Sequence, residues 1–72
     1  MRGNFFYKRL GERIISERKK HNLSQEDLAY DSSVDRTYLA RIEEGKANPT
    51  IKVLNKIARR FKIKLSKLLE NV

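Results

Sequence analysis

The chain has 72 residues, no cysteine and one histidine, with 17 Lys and Arg against nine Asp and Glu for a net charge of +8. That length holds one small domain, expected over residues 1–72, and leaves no room for an enzyme's cleft of converging groups; with no cysteine and a lone His21, neither a disulfide, a metal nor a cofactor is expected. No apolar run is long enough to cross a membrane and Arg2, Lys8 and Arg9 break any leader pattern, so the expected location is the cytoplasm, and the expected partner of the positive charge is a polyanion, most simply nucleic acid.

Apolar periodicity predicts a first helix from about Phe5 to Lys20, with Phe6, Leu10 and Ile14 on one face. Asn22 closes it as a left-handed residue, Leu23 packs beneath the turn, and His21 reads as a solvated residue at the helix end. Ser24 is a good N-cap for a second helix, and Asp27, three residues on, gives an acidic form of the capping box. Leu28 and Ala29 face inward, and the small Ala29 suits a close helix crossing. Ser32-Ser33-Val34 makes the next turn, with Val34 as its apolar plug. Asp35 caps a third helix, its carboxylate near the positive helix end. There Leu39 and Ile42 form the buried stripe, while Arg36, Thr37, Ala40 and Arg41 point the other way. Gly45 stops this helix, and Lys46-Ala47-Asn48-Pro49 is a loop. Thr50 restarts a helix through Phe61, with Ile51, Leu54, Ile57, Ala58 and Phe61 as its core stripe. Ile63 and Leu65 lead into a last short helix holding Leu68 and Leu69. With no strand alternation and no repeats, the fold class is all-α with five short helices.

Residues 24–44 hold two short helix patterns back to back with almost no linker. That is the layout of a helix-turn-helix, which presents its second helix to the DNA major groove. Charge is segregated around it. This segment has six acids (Glu26, Asp27, Asp31, Asp35, Glu43, Glu44) and two bases, Arg36 and Arg41. Most of the positive residues lie before it (Lys8, Arg9, Arg13, Arg18, Lys19 and Lys20 among them) and after it (Lys46, Lys52, Lys56, Arg59, Arg60, Lys62, Lys64, Lys67). Two pointed arginines with phosphate grips on the flanks fit this distribution better than a generic polycation does. The aliphatic run Ile63, Leu65, Leu68 and Leu69 is mostly core, and a domain this small gains stability by pairing.

These residues resemble the Cro/CI-type (XRE family) helix-turn-helix domain of phage repressors and bacterial regulators. The matching stations are Leu10-Gly11, Arg18, Leu23-Ser24-Gln25-Glu26-Asp27-Leu28-Ala29, Ile42-Glu43-Glu44-Gly45-Lys46, Asn48-Pro49, Ile57-Ala58 and Leu68-Leu69, in order over nearly the whole chain. Asp35-Arg36-Thr37-Tyr38 followed by Asn48-Pro49-Thr50 looks most like the controller proteins of restriction-modification systems. Three positions depart from the family pattern: Ser33 replaces the usual turn glycine, Glu17 an apolar residue that Ile15 partly replaces, and Lys64 the usual N-cap of the last helix.

The resemblance implies a compact five-helix, lambda-repressor-like domain acting as a homodimer on double-stranded DNA. Its helix-turn-helix lies at about 24–44 and its dimerisation segment at about 61–72. Arg36 and Arg41 are expected to read bases, since arginine's planar fork bonds guanine O6 and N7 together. Thr37 offers a hydroxyl and a methyl to a base edge; Tyr38 touches DNA or covers the helix junction. Gln25 suits a phosphate, as do Lys46, Asn48, Thr50 and Lys52 around the start of the fourth helix, although a lone Lys52 also reads as a solvated lysine. Arg18 and Glu43 occupy positions that form a partly buried structural ion pair. Part of Ile63, Leu65, Leu68 and Leu69 forms the two-fold seam, which places two recognition helices about 34 Å apart on a near-palindromic operator. Glu43 and Glu44 are placed to meet RNA polymerase; neither a membrane nor a small-molecule ligand is expected. The alternative is a phage-type repressor or an antitoxin-like regulator whose main partner is another protein.

Overall fold

The computed structural model describes residues 2–72, and side chains from Phe5 onward. The described residues are all-helical: α1 (Arg2–Lys20), α2 (Gln25–Ser32), α3 (Arg36–Glu43), α4 (Ile51–Arg60) and α5 (Leu65–Leu68). The first helix thus begins ahead of the predicted Phe5. No helix among these residues is long and apolar enough to cross a membrane.

Local chemistry sets most of the helix limits. Ser24 Oγ accepts from the Asp27 N–H at 2.9 Å while Asp27 Oδ2 accepts from the Ser24 N–H at 3.1 Å, closing the capping box. Asp35 and Thr50 cap α3 and α4 without the return bond, accepting from the Tyr38 and Val53 N–H groups. Lys64, at the start of α5, makes no side-chain cap. At the other ends, Asn22, Ser33, Gly45 and Lys62 all take left-handed φ of 56–76°. Each lets the next N–H fold back on the helix it closes: Leu23 to Arg18, Val34 to Ala29, Lys46 to Arg41 and Ile63 to Ala58. Ser33 and Lys62 hold this geometry without glycine, at roughly 1–2 kcal/mol of backbone strain each.

Leu10, Ile14, Leu28, Leu39, Ile42, Ile57, Phe61 and Leu68 are fully buried and form one core with Ala29, Val34, Leu54 and Ala58. Helix α1 lies on α3, α2 on both α3 and α4, and α5 on α4. The α1–α3 crossing depends on Gly11: a Cβ there would sit 2.4 Å from the Glu43 carbonyl oxygen and 2.6 Å from that of Ile42. The helices therefore meet backbone to backbone.

Three expectations about the core are corrected. Phe6 is 38% exposed and meets Tyr7 edge-on instead of joining Leu10 and Ile14; the close approaches of the α3 end to α1 come further along the helix, at Lys8 against Gly45 and at Gly11 against Glu43. Ile51 is 63% exposed, because the first residue of α4 lies ahead of the turns that α2 covers, and the stripe begins at Leu54. His21 is not simply solvated: its ring stacks on Phe61 at 5.3 Å. Its Nε2 is 3.9 Å from Glu17, a buried carboxylate that also meets Lys20 at 3.3 Å and Arg13 at 3.5 Å.

Gly11→Ala tests the crossing. Helix propensity alone favours alanine by about 0.8–1.0 kcal/mol, but the Cβ would force two backbones apart, at about 1–3 kcal/mol or more. Urea unfolding is expected to show net destabilisation. The cap of α2 predicts an acid dependence: hydrogen bonds from the Ser24 backbone and hydroxyl, with Arg60 nearby, hold the Asp27 carboxyl below its ordinary 3.8. A lowered folded-state value means the cap's contribution is complete above the unfolded value and is lost as pH falls through the folded one. Asp27→Asn is expected to flatten the fall in stability below about pH 3.8 in a series of urea melts.

Candidate nucleic-acid interface

Ser33, Val34 and Asp35 connect α2 to α3, and the turn holds because Val34 is buried beneath it. The outer face of α3 presents Arg36, Thr37 and Arg41 to solvent, with Ala40 half-buried beside them. Tyr38 is also half-buried and packs against the core, so it serves the helix junction with only its outer part available. The two arginines differ in freedom. Arg36 lies 3.9 Å from Glu26, both side chains well exposed. Arg41 donates at 2.9 Å to the Lys46 carbonyl, which directs it toward the loop after α3.

Glu43 ends α3 inside the structure, its side chain 4% exposed. It accepts from Arg18 Nε at 2.9 Å and Nη2 at 3.1 Å, a two-toothed pair across the α1–α3 crossing. Gln25 Nε2 donates to the same carboxylate at 3.0 Å, and Arg18 Nη1 donates to the Leu23 carbonyl at 3.1 Å. The structural role read for Arg18 and Glu43 thus has its geometry. The role read for Gln25 is altered, because its side-chain amide is already engaged inward and its backbone N–H remains for a phosphate.

Each of the six acids of residues 24–44 has a local partner. Glu26 faces Arg36, Asp27 and Asp35 cap helices, Glu43 holds Arg18, and Glu44 lies 3.7 Å from Lys46. Asp31 takes Arg60 Nε at 2.6 Å, joining α2 to the end of α4. These acids hold or cap helices; none of them gathers with others into a cation site, and no metal-binding cluster occurs among the described residues.

Two helix starts flank α3, and their first N–H groups have no partner within the helix. The start of α2 carries Glu26 and Asp27, which oppose an anion. The start of α4 carries no acid in its first turn and has Lys52 there. Thr50, Asn48 and Lys46 precede it, all exposed. The α4 start is therefore the better phosphate seat of the two.

The C-terminal aliphatic residues divide. Ile63, Leu65 and Leu69 are partly buried, with surface left for a partner. Leu68 is fully buried in the chain's own core, so its place in a dimer seam is corrected: it has no surface to give. Sequence reading missed the clamp that fixes this segment, in which Arg13 donates to the carbonyls of Lys67 at 3.0 Å and Glu70 at 3.3 Å. Backbone acceptors leave no mark in a sequence, and nothing in it pointed to Arg13.

Glu43→Ala would leave the Arg18 guanidinium largely buried and unpaired, and is expected to cost about 3–5 kcal/mol in urea unfolding. In a double-mutant cycle with Arg18→Ala, the combined loss should be well short of the sum. An unchanged melt for Glu43→Ala would remove the pair from the stability of the fold.

The sequence profile of the helix-turn-helix family (HTH_3) matches residues 14–68. The chain is 46% identical over 48 residues to the HTH-type transcriptional regulator MJ0272 of Methanocaldococcus jannaschii, covering 67% of this chain and 73% of that one. It is 40% identical over 65 residues to the control protein C.MunI of a Mycoplasma species, covering 89% and 88%. Among solved structures, the restriction-modification controller protein C.AhdI of Aeromonas hydrophila superposes with a TM-score of 0.83 at 32% identity, covering 86% and 94%. On this match of profile, relatives and backbone, the chain belongs to the helix-turn-helix family of transcriptional regulators, of the Cro/CI (XRE) type its motifs resemble.

Proposed function

We propose that this protein is a sequence-specific regulator that binds a near-palindromic double-stranded DNA operator as a homodimer and controls a restriction-modification system together with its own expression. The observation that carries the reading is the outer face of α3. Arg36 and Thr37 stand exposed in its first turn, where a recognition helix meets base edges, and Arg41 follows one turn on. Arg36 is held only by a 3.9 Å contact to an exposed Glu26, so little is lost on turning it to a guanine. Thr37 supplies a methyl and a hydroxyl beside it, and Tyr38 the outer part of its ring.

Phosphate contacts come from the flanks. Residues 24–44 alone carry two bases and six acids, a balance of −4, so the remaining residues carry +12 of the net +8. Lys46, Asn48, Thr50 and Lys52 at the α4 start grip one strand, and the Gln25 backbone N–H meets a phosphate at the α2 start. Ile63, Leu65 and Leu69 form the two-fold seam, which sets the half-sites about one DNA turn apart. The controller assignment is supported by the similarity over most of the chain to C.MunI and C.AhdI. In this reading the protein is cytoplasmic and does no catalysis, and Glu44, exposed at the end of α3, is the residue placed to meet RNA polymerase; Glu43, buried against Arg18, is not.

The test is selection of binding sites from random duplex DNA at about physiological salt, with wild type beside Arg36→Ala. Wild type should enrich a near-palindrome. The variant should lose about 1–3 kcal/mol on that site and far less on random DNA. Equal losses on both would defeat base reading by Arg36. Enrichment of a single half-site, with one chain per DNA by sedimentation, would defeat the dimer.

A further inference from the structure

Away from the α3 face, the end of α2 and the second half of α4 enclose a cleft lined by Asp31, Ser32, Ser33, Lys56, Arg59 and Arg60. It lies about 13 Å along α4 from Thr50, at 1.5 Å per residue. We propose that this cleft binds a phosphate-type oxyanion, held by Lys56 and Arg59, with Arg60 and Ser32 also in its lining.

Two independent features point to a ligand. The first is an excess of cations. Arg60 is fixed by Asp31 at 2.6 Å, which orients its guanidinium and neutralises that carboxylate. Lys56 and Arg59 make no ion pair among the described residues. The second is Ser32, only 5% exposed, whose hydroxyl oxygen is buried with no hydrogen-bond partner. A buried hydroxyl left unmade is costly, and a serine near a helix end commonly bonds back to its own helix; this one does not. Ser32 belongs to the lining of the cleft, so turning about its Cα–Cβ bond is the movement by which its hydroxyl gains an oxyanion as partner.

One effect opposes the site. Both α2 and α4 end here, and each helix end contributes about half a negative charge. Those two halves remove about one charge from the two positive ones left after Asp31 offsets one of three cations, so the cleft stays attractive to an anion. Arginine's fork and lysine's ammonium both suit phosphate oxygens. Two sources share this chemistry: a phosphate of the DNA backbone, or a free phosphorylated small molecule, the latter unexpected from the sequence.

The experiment is an NMR titration of the full chain with inorganic phosphate, with chloride adjusted to hold ionic strength constant. Saturable shifts confined to Ser32, Ser33 and residues 56–60 are expected. Lys56→Gln/Arg59→Gln should weaken them about a hundredfold, the loss of two charge-assisted contacts at about tenfold each. Ser32→Ala should weaken binding too while leaving thermal melting unchanged or raised, since it removes an unpartnered hydroxyl; this arm holds if the double variant fails to fold. Shifts that never saturate and spread equally over Lys52, Lys62, Lys64 and Lys67 would overturn the proposal, as would saturable binding indifferent to all three substitutions. A DNA arm separates the sources: a salt slope shallower by about 0.9 in Arg59→Gln assigns the site to a backbone phosphate, and an unchanged slope assigns it to a free one. The titration uses protein without DNA, so it stands whether or not the operator reading does.

Discussion

The carboxylate of Glu43 is where three helices are tied. It ends α3, takes two donors from Arg18 of α1 and one from Gln25 of α2, and is almost entirely out of water. A charge buried this way is tolerable only with its acceptor sites filled, so the network fixes how the recognition helix sits against the rest. The crossing at Gly11 reinforces it. The Glu43 carbonyl is one of the two oxygens that a Cβ at position 11 would strike. Side chain and backbone of one residue thus set both the spacing and the rotation of α1 against α3. In the DNA-binding reading, the hub connects the α2 start, which meets phosphate, with the helix that meets bases.

That arrangement resolves an oddity of charge. The helix-turn-helix itself is acidic, though its proposed ligand is a polyanion. Its acids are used locally: as caps by Asp27 and Asp35, as a buried tie by Glu43, and as a brace to α4 by Asp31. Capping carboxylates sit at helix starts, where the backbone is positive, so part of their field is cancelled within a turn. The positive surface is left to segments that need not hold the motif together. In the proposed function, affinity from the flanks and specificity from α3 are then separable by substitution, as phosphate and base contacts generally are.

Much of this was legible in the sequence because short-range chemistry decides it. Ser24, Asp35 and Thr50 announce helix starts by their side chains, and Asn22 and Gly45 announce ends by the backbone they tolerate. Ser33 was legible through the resemblance, as a serine where the family pattern has a turn glycine, and it does take a left-handed φ of 56°. The misses are long-range or concern edges. Periodicity put Phe6 and Ile51 on core stripes, and both lie outside the core, because a repeat cannot say where the covering helix stops. Leu68 and Leu69 are adjacent in sequence and read alike, yet one is sealed in the core and the other keeps some surface. Arg13, Gln25 and Asp31 look like ordinary helix-surface residues. Their partners lie 18 to 57 positions away, at distances that only the fold sets.

In the DNA-binding reading, the two arginines of α3 carry different costs into DNA. Arg36 gives up a loose, solvent-screened contact, worth little. Arg41 must either keep its bond to the Lys46 carbonyl and reach DNA with its remaining N–H groups, or release a hydrogen bond worth about 0.5–1.5 kcal/mol net. The first course has a structural gain. Lys46 opens the loop that leads to the α4 phosphate seat, so an arginine anchored there couples the end of the recognition helix to that seat. On the proposed reading Arg41 then works best as a brace with a short reach, and discrimination among bases falls chiefly to Arg36 and Thr37 at the other end of the helix.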